Sequence, residues 1–240
     1  MSTGSRLALA SLALVCTATV ARAQSPDHGH ATVLTFFQAE QFEYRYGKHA
    51  RSFNWDLQGW IGTDDEKFWF KSEGELPTQG PLEEAEVQAL YSWRISDFFD
   101  AQAGIRYDYR PGPQRGFAVL GIQGLAPQFF EVDAALFVSH KGEVSARLKG
   151  EYDLNITQSL ILQPSAEINL AAQNVRGRGI GAGISDIELG LRLRYEITRE
   201  FAPYIGVNWE RKLFRSARFA RDESEAAGSL SVVAGLRFWF

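Results

Sequence analysis

Apolar and polar residues alternate with period two along most of the chain. The last eleven residues show it well: Leu230, Val232, Ala234, Leu236, Phe238 and Phe240 form one row, and Ser231, Val233, Gly235, Arg237 and Trp239 the other. Successive side chains of a strand point to opposite faces, so this stretch reads as a strand with one apolar and one partly polar surface. Three interior segments are as regular. Ile187, Leu189, Leu191, Leu193, Tyr195 and Ile197 alternate with Glu188, Gly190, Arg192, Arg194 and Glu196. Val144 to Leu154 and Ala101 to Arg110 repeat the pattern, with Arg147, Lys149, Glu151 and Asp153, or Arg106 and Asp108, in the polar rows. Weaker versions near 34–46, 52–62, 66–75, 84–95, 116–125, 130–139, 160–171 and 203–212 bring the count to about twelve.

The connections sort by parity. Those after even strands are short, around 63–65, 96–98, 126–128, 155–158 and 198–200; those after odd strands are mostly longer, with 172–183 and 213–227 the longest. Short turns at one end and long loops at the other are the arrangement of an outer-membrane barrel. Aromatic residues end the apolar rows (Tyr107, Tyr109, Tyr195, Phe238, Phe240), as expected where a wall crosses the membrane interface. Soluble sandwiches also alternate, but their strands are nearer five or six residues than the ten seen here. The fold predicted is all-β: a transmembrane antiparallel up-and-down β-barrel of about twelve strands over 34–240. Its apolar rows face lipid, and its polar rows face the lumen.

Composition fits this picture. A mean hydropathy of −0.21 looks soluble, yet only alternate residues of a barrel strand meet lipid. The N-terminus supplies the route: Arg6, the mainly apolar run Leu7 to Val20, then Ala21-Arg22-Ala23, the order of a secretory signal peptide cut after Ala23. That run is too short to span a bilayer as a helix, which needs about 20 apolar residues. Residues 1–23 are therefore assigned to the signal and 24–33 to a short polar tail. Cys16, the one cysteine, leaves with the signal, so neither disulfides nor thiolate chemistry are available to the remainder. The net charge of −4 gives no reason to expect nucleic acid.

The polar rows carry charges of both signs, among them Lys67, Lys71, Glu73, Glu86, Arg94, Asp100, Asp133, Glu167 and Arg237. Two readings stay open: a structural lattice of ion pairs, or an ion path with carboxylates along it. The facing assignment also predicts that Leu191→Arg is harmful, whereas Arg192→Leu is milder. Of four histidines, His49 and His140 read as loop residues. Asp27, His28 and His30 differ, since two imidazoles and a carboxylate within four residues suit Cu(II), nickel or zinc. Ser139 beside His140 makes a poor dyad, because neighbours on a strand point apart. No enzyme is expected.

Several ordered segments carry a family resemblance: Trp60-Ile61-Gly62-Thr63-Asp64, Phe68 to Glu75, Glu86 to Ser92, Ala103 to Asp108, Gly121 to Pro127, Leu160 to Pro164, Glu188 to Glu196, Arg199 to Tyr204 and Gly235 to Phe240. This set, spanning about residues 36–240, resembles the copper resistance protein B family of outer-membrane proteins. The resemblance implies copper resistance at the bacterial outer membrane, by binding copper or letting it pass. It also implies work beside a periplasmic multicopper oxidase and copper carriers. A general small-solute pore is the alternative, with an outer-membrane hydrolase behind it. One departure matters: many members carry a Met- and His-rich extension, but the only methionine here is Met1. That leaves no thioether site for Cu(I), and Asp27, His28 and His30 as the candidate metal ligands.

Overall fold

The computed structural model describes residues 32–48 and 51–240. The segment 1–23 expected to be a signal peptide, His49 and the tail residues Asp27, His28 and His30 lie outside them. Twelve strands form one closed antiparallel sheet: β1 (Leu34–Gly47), β2 (Arg51–Gly62), β3 (Glu66–Pro77), β4 (Glu84–Arg94), β5 (Phe99–Arg110), β6 (Arg115–Ala126), β7 (Phe130–Ser139), β8 (Val144–Tyr152, resuming at Leu154–Asn155 after a break at Asp153), β9 (Leu160–Ala171), β10 (Gly183–Tyr195), β11 (Phe201–Lys212) and β12 (Gly228–Trp239). Each strand pairs with the next, and β12 pairs with β1. The predicted architecture and strand count are present; the two longest connections, 172–182 and 213–227, follow odd strands as expected, but those after β5 and β7 (111–114 and 140–143) are as short as the turns at the other end. Closure leaves no strand edge unpaired, the condition for crossing hydrocarbon with strands.

The two rows of each strand separate as expected. Ile105, Leu120, Ile205, Leu230 and Val232 are outward and at least 60% exposed, while Glu43, Glu86 and Asp108 point inward and are at most 1% exposed. An apolar exterior around a charged interior is stable only if lipid surrounds it. Aromatic residues also seal the seam between the first and last strands. Phe37 and Phe240 exchange both backbone hydrogen bonds (2.9 and 3.0 Å), and their rings lie 5.2 Å apart.

Three features differ from the alternating pattern. A bulge in β1 falls between Ala39 and Gln41 against β2, so Glu40 has no partner opposite and is buried beside Gln38. The lumen is not polar throughout: Trp69, Leu90, Val119 and Phe137 stand in inward rows of β3, β4, β6 and β7 and form a packed apolar patch. Finally, the long connection after β11 contains a helix, α1 (Phe214–Asp222), which packs against β10 and β11.

Candidate functional site

The lumen divides into a filled part and a hollow part. In the filled part, Glu43 of β1 is fully buried, and its two oxygens receive four hydrogen bonds. Arg192 of β10 donates through Nε and Nη2 (both 2.9 Å), Arg45 through Nε (2.8 Å) and the Tyr204 hydroxyl at 2.9 Å. Gly235 of β12 makes room for this, since a Cβ there would lie 2.7 Å from both the Tyr204 ring and Glu43. Arg45 reaches on to Glu188 at 2.9 Å. Charge-assisted bonds of this number make the cluster a clamp joining β1, β10 and β11. They also change the reading of Arg192, whose replacement by Leu would strip two donors from a buried carboxylate.

A second chain of alternating charges descends from the long-loop end. Arg178, in a short 3₁₀ turn of the loop after β9, is 4% exposed by its side chain and bonds Asp108 of β5. Asp108 also holds Arg106 (2.6 Å), which pairs with Glu86. Glu86 accepts two bonds from Arg147 (3.1 and 3.0 Å), and Arg147 reaches Glu73 at 2.9 Å. The guanidinium groups of Arg106 and Arg178 lie 4.7 Å from the Phe137 centroid and 5.6 Å from that of Phe117, respectively. The loop carrying Arg178 is tied down in turn: Gly181 donates its N–H to the Ser216 hydroxyl of α1 (2.9 Å), and Arg176 meets Asp222 at 3.6 Å. Arg178 thus latches the long-loop mouth.

Between the charge chain and the short-turn end lies a cavity of about 350 Å³, walled by residues of β1 to β8. Its wall carries six carboxylates (Glu40, Asp56, Glu73, Glu131, Asp133, Glu151) and three cations (Lys71, Arg147, Lys149), with Gln58, Gln88, Gln102 and Gln123 between them. Lys71 takes Asp133 and Lys149 takes Asp56, both at 2.6 Å, and Glu40 reaches Arg237 of β12 at 3.3 Å. Glu131 has no ion-pair partner among the described residues and stands directly opposite Glu151 across β7 and β8. Glu151 is itself held by Lys149 at 3.6 Å and by Gln163 at 3.0 Å, so the repulsion between adjacent like charges leaves Glu131 as the side chain short of a cation. Glu131 is the second residue of its strand, at the short-turn end, which places this surplus at the mouth opposite Arg178.

The matching family model, described as "Copper resistance protein B precursor (CopB)", covers residues 33–240. The chain belongs to the copper resistance protein B family. It is 43% identical over 210 residues to a copper resistance protein B homolog of Pseudomonas syringae pv. tomato, covering 88% of this chain and 71% of that protein. It is 44% identical over 201 residues to copper resistance protein B of Escherichia coli, covering 84% and 68%. The NanC porin shares the fold, with a TM-score of 0.56 and 13% identity across 85% of this chain and 99% of the porin. This family member is therefore a barrel of the outer membrane, with its short turns on the periplasmic side by the usual orientation.

Most charges assigned to the lumen from sequence are there; Arg94 instead sits at the periplasmic rim, where it pairs with Asp65 in the open. Ser139 and His140 do not pair. The Ser139 hydroxyl bonds Glu143 and caps its own turn, while His140 Nδ1 meets the backbone of Gly116 at 3.2 Å. Among the described residues, no three His, Cys, Asp or Glu side chains are gathered closely enough to hold a metal ion. Sequence reasoning did not find Glu43, Glu40 or Arg178. Glu43 and Arg45 do alternate with Phe42, Tyr44 and Tyr46, which was the available signal.

Proposed function

We propose that this barrel serves copper resistance by admitting Cu(II), as cargo, from the periplasm into its acidic lumen for passage across the outer membrane. The observation that carries this is Glu131, which has no ion-pair partner among the described residues and stands opposite Glu151 at the periplasmic mouth of a cavity with six carboxylates against three cations. Carboxylate and amide oxygens without sulfur suit Cu(II) rather than Cu(I), and several weak sites let an ion leave again. The names of the relatives supply the metal; the oxygen-rich wall accounts for how it is attracted. Arg178 controls the other mouth. The tail triad of Asp27, His28 and His30 would raise the local copper concentration, and a periplasmic oxidase or carrier would deliver the ion. Ordered pairing of Ser139 and His140 with turn backbone supports a non-enzymatic role.

Calorimetric titration of refolded protein with Cu(II) tests this. Wild type and a Glu131→Gln/Glu151→Gln variant should differ several-fold in luminal affinity, with a further loss on replacing His28 and His30. Equal binding by wild type and the luminal variant removes the acidic mouth from the account. A general small-solute pore predicts no copper binding by any of them.

A further inference from the structure

The extracellular rim carries a basic cluster that the passage of cations does not use. The outward row of β11 runs Phe201, Pro203, Ile205, Val207, Trp209 and Arg211, with Ile205 63% and Val207 44% exposed. Arg211 thus stands on the lipid-facing row, two residues beyond a half-buried tryptophan at interface height, where a long cationic side chain reaches toward headgroups. Three residues later α1 begins. It buries Ser216, Ala217 and Ala220 and leaves Arg215, Arg218 and Arg221 exposed. Phe214, at the start of α1, is 71% exposed and sits at φ 42°, a left-handed conformation unfavourable for a bulky residue. The acids nearby are largely engaged: Asp222 holds Arg176, and Glu225 holds Lys212 at 3.2 Å. Beside the exposed Glu223, the four arginines have no carboxylate partner among the described residues.

We propose that Arg211, Arg215, Arg218 and Arg221 bind a phosphorylated glycolipid of the outer leaflet, with Phe214 set against its acyl chains. A guanidinium matches phosphate oxygens bidentately, and because α1 packs Ser216, Ala217 and Ala220 against the protein, its arginine face is left open to a headgroup. One arginine on the lipid-facing row and three on the adjoining helix can surround a headgroup from the side. Because the partner is an anion outside the wall, the site stands apart from the copper reading.

Native mass spectrometry of the detergent-purified full mature barrel, titrated with bisphosphorylated lipid A, reads this directly. Wild type should retain the lipid at low micromolar concentration. Replacing the four arginines with Gln should weaken retention at least tenfold, while Arg94→Gln at the opposite rim should leave it unchanged. Dephosphorylated lipid A should bind wild type as weakly as phosphorylated lipid binds the fourfold variant. A heat-modifiable gel shift confirms that each variant is folded. Retention unchanged in the fourfold variant, or equal for lipid with and without phosphate, overturns the proposal.

Discussion

Glu43 and Glu131 are both inward glutamates of the same barrel, yet their surroundings are opposite. Glu43 receives four hydrogen bonds from Arg192, Arg45 and Tyr204 and is fully buried. Glu131 is exposed to the cavity, faces Glu151, and has no cation at ion-pair distance among the described residues. A carboxylate enclosed by donors holds strands together and has no capacity left for cargo. One left short of positive charge adds nothing to the wall and is free to attract an ion. A charged lumen is therefore not in itself a pathway; the path lies where neutralisation is incomplete.

Breaking the satisfied side should have the largest effect. Glu43→Ala leaves Arg192 and Arg45 buried beside each other and should cost about 3–5 kcal/mol of stability. Urea unfolding in lipid vesicles measures it. Arg192→Leu belongs to the same class, because it removes two donors from Glu43. Next comes Leu191→Arg, which places a cation in the lipid-facing row and should cost roughly 2–4 kcal/mol near the midplane. The sequence pattern alone makes Leu191 the sensitive neighbour; the Glu43 clamp makes both positions sensitive, through different physics.

Arg178→Ala sharpens the comparison at the outer mouth. Loss of the latch should raise single-barrel conductance several-fold in planar bilayers, with a smaller effect on stability than Glu43→Ala because the buried Asp108 keeps both bonds from Arg106. An unchanged conductance would mean that the loop after β9 occludes without Arg178. The smallest structural effect is expected for Glu131→Gln/Glu151→Gln. Its stability should fall by about 1 kcal/mol, through the Lys149 contact of Glu151 and not through Glu131, which has no ion pair to lose. Its cation preference, read as the reversal potential in a potassium chloride gradient, should fall.

How much of this was legible in the chain follows from the range of the interactions. Strand positions, facing and the parity of turns depend on neighbours two residues apart, so Leu189, Leu191, Arg192 and Arg194 announce their sides. The β1 bulge interrupts that period over Gln38-Ala39-Glu40-Gln41, where polar residues run together, and no local rule says which of them turns inward. The clamp on Glu43 joins residues 149 positions apart, and the bond from Arg178 to Asp108 spans 70. Register across a closed sheet creates those pairings, so period two cannot reveal them. α1 was missed because nine residues rich in arginine give too short a helical pattern, and it is held by contacts with β10, β11 and Gly181.

The most direct test loads liposomes containing the refolded barrel with a copper-sensitive dye and follows Cu(II) entry for wild type, Arg178→Ala and Glu131→Gln/Glu151→Gln. Faster entry without the latch and slower entry without the acidic pair, in equally folded proteins, is the result predicted. Entry indifferent to both changes would contradict a luminal copper path and leave the charged interior a purely structural lattice.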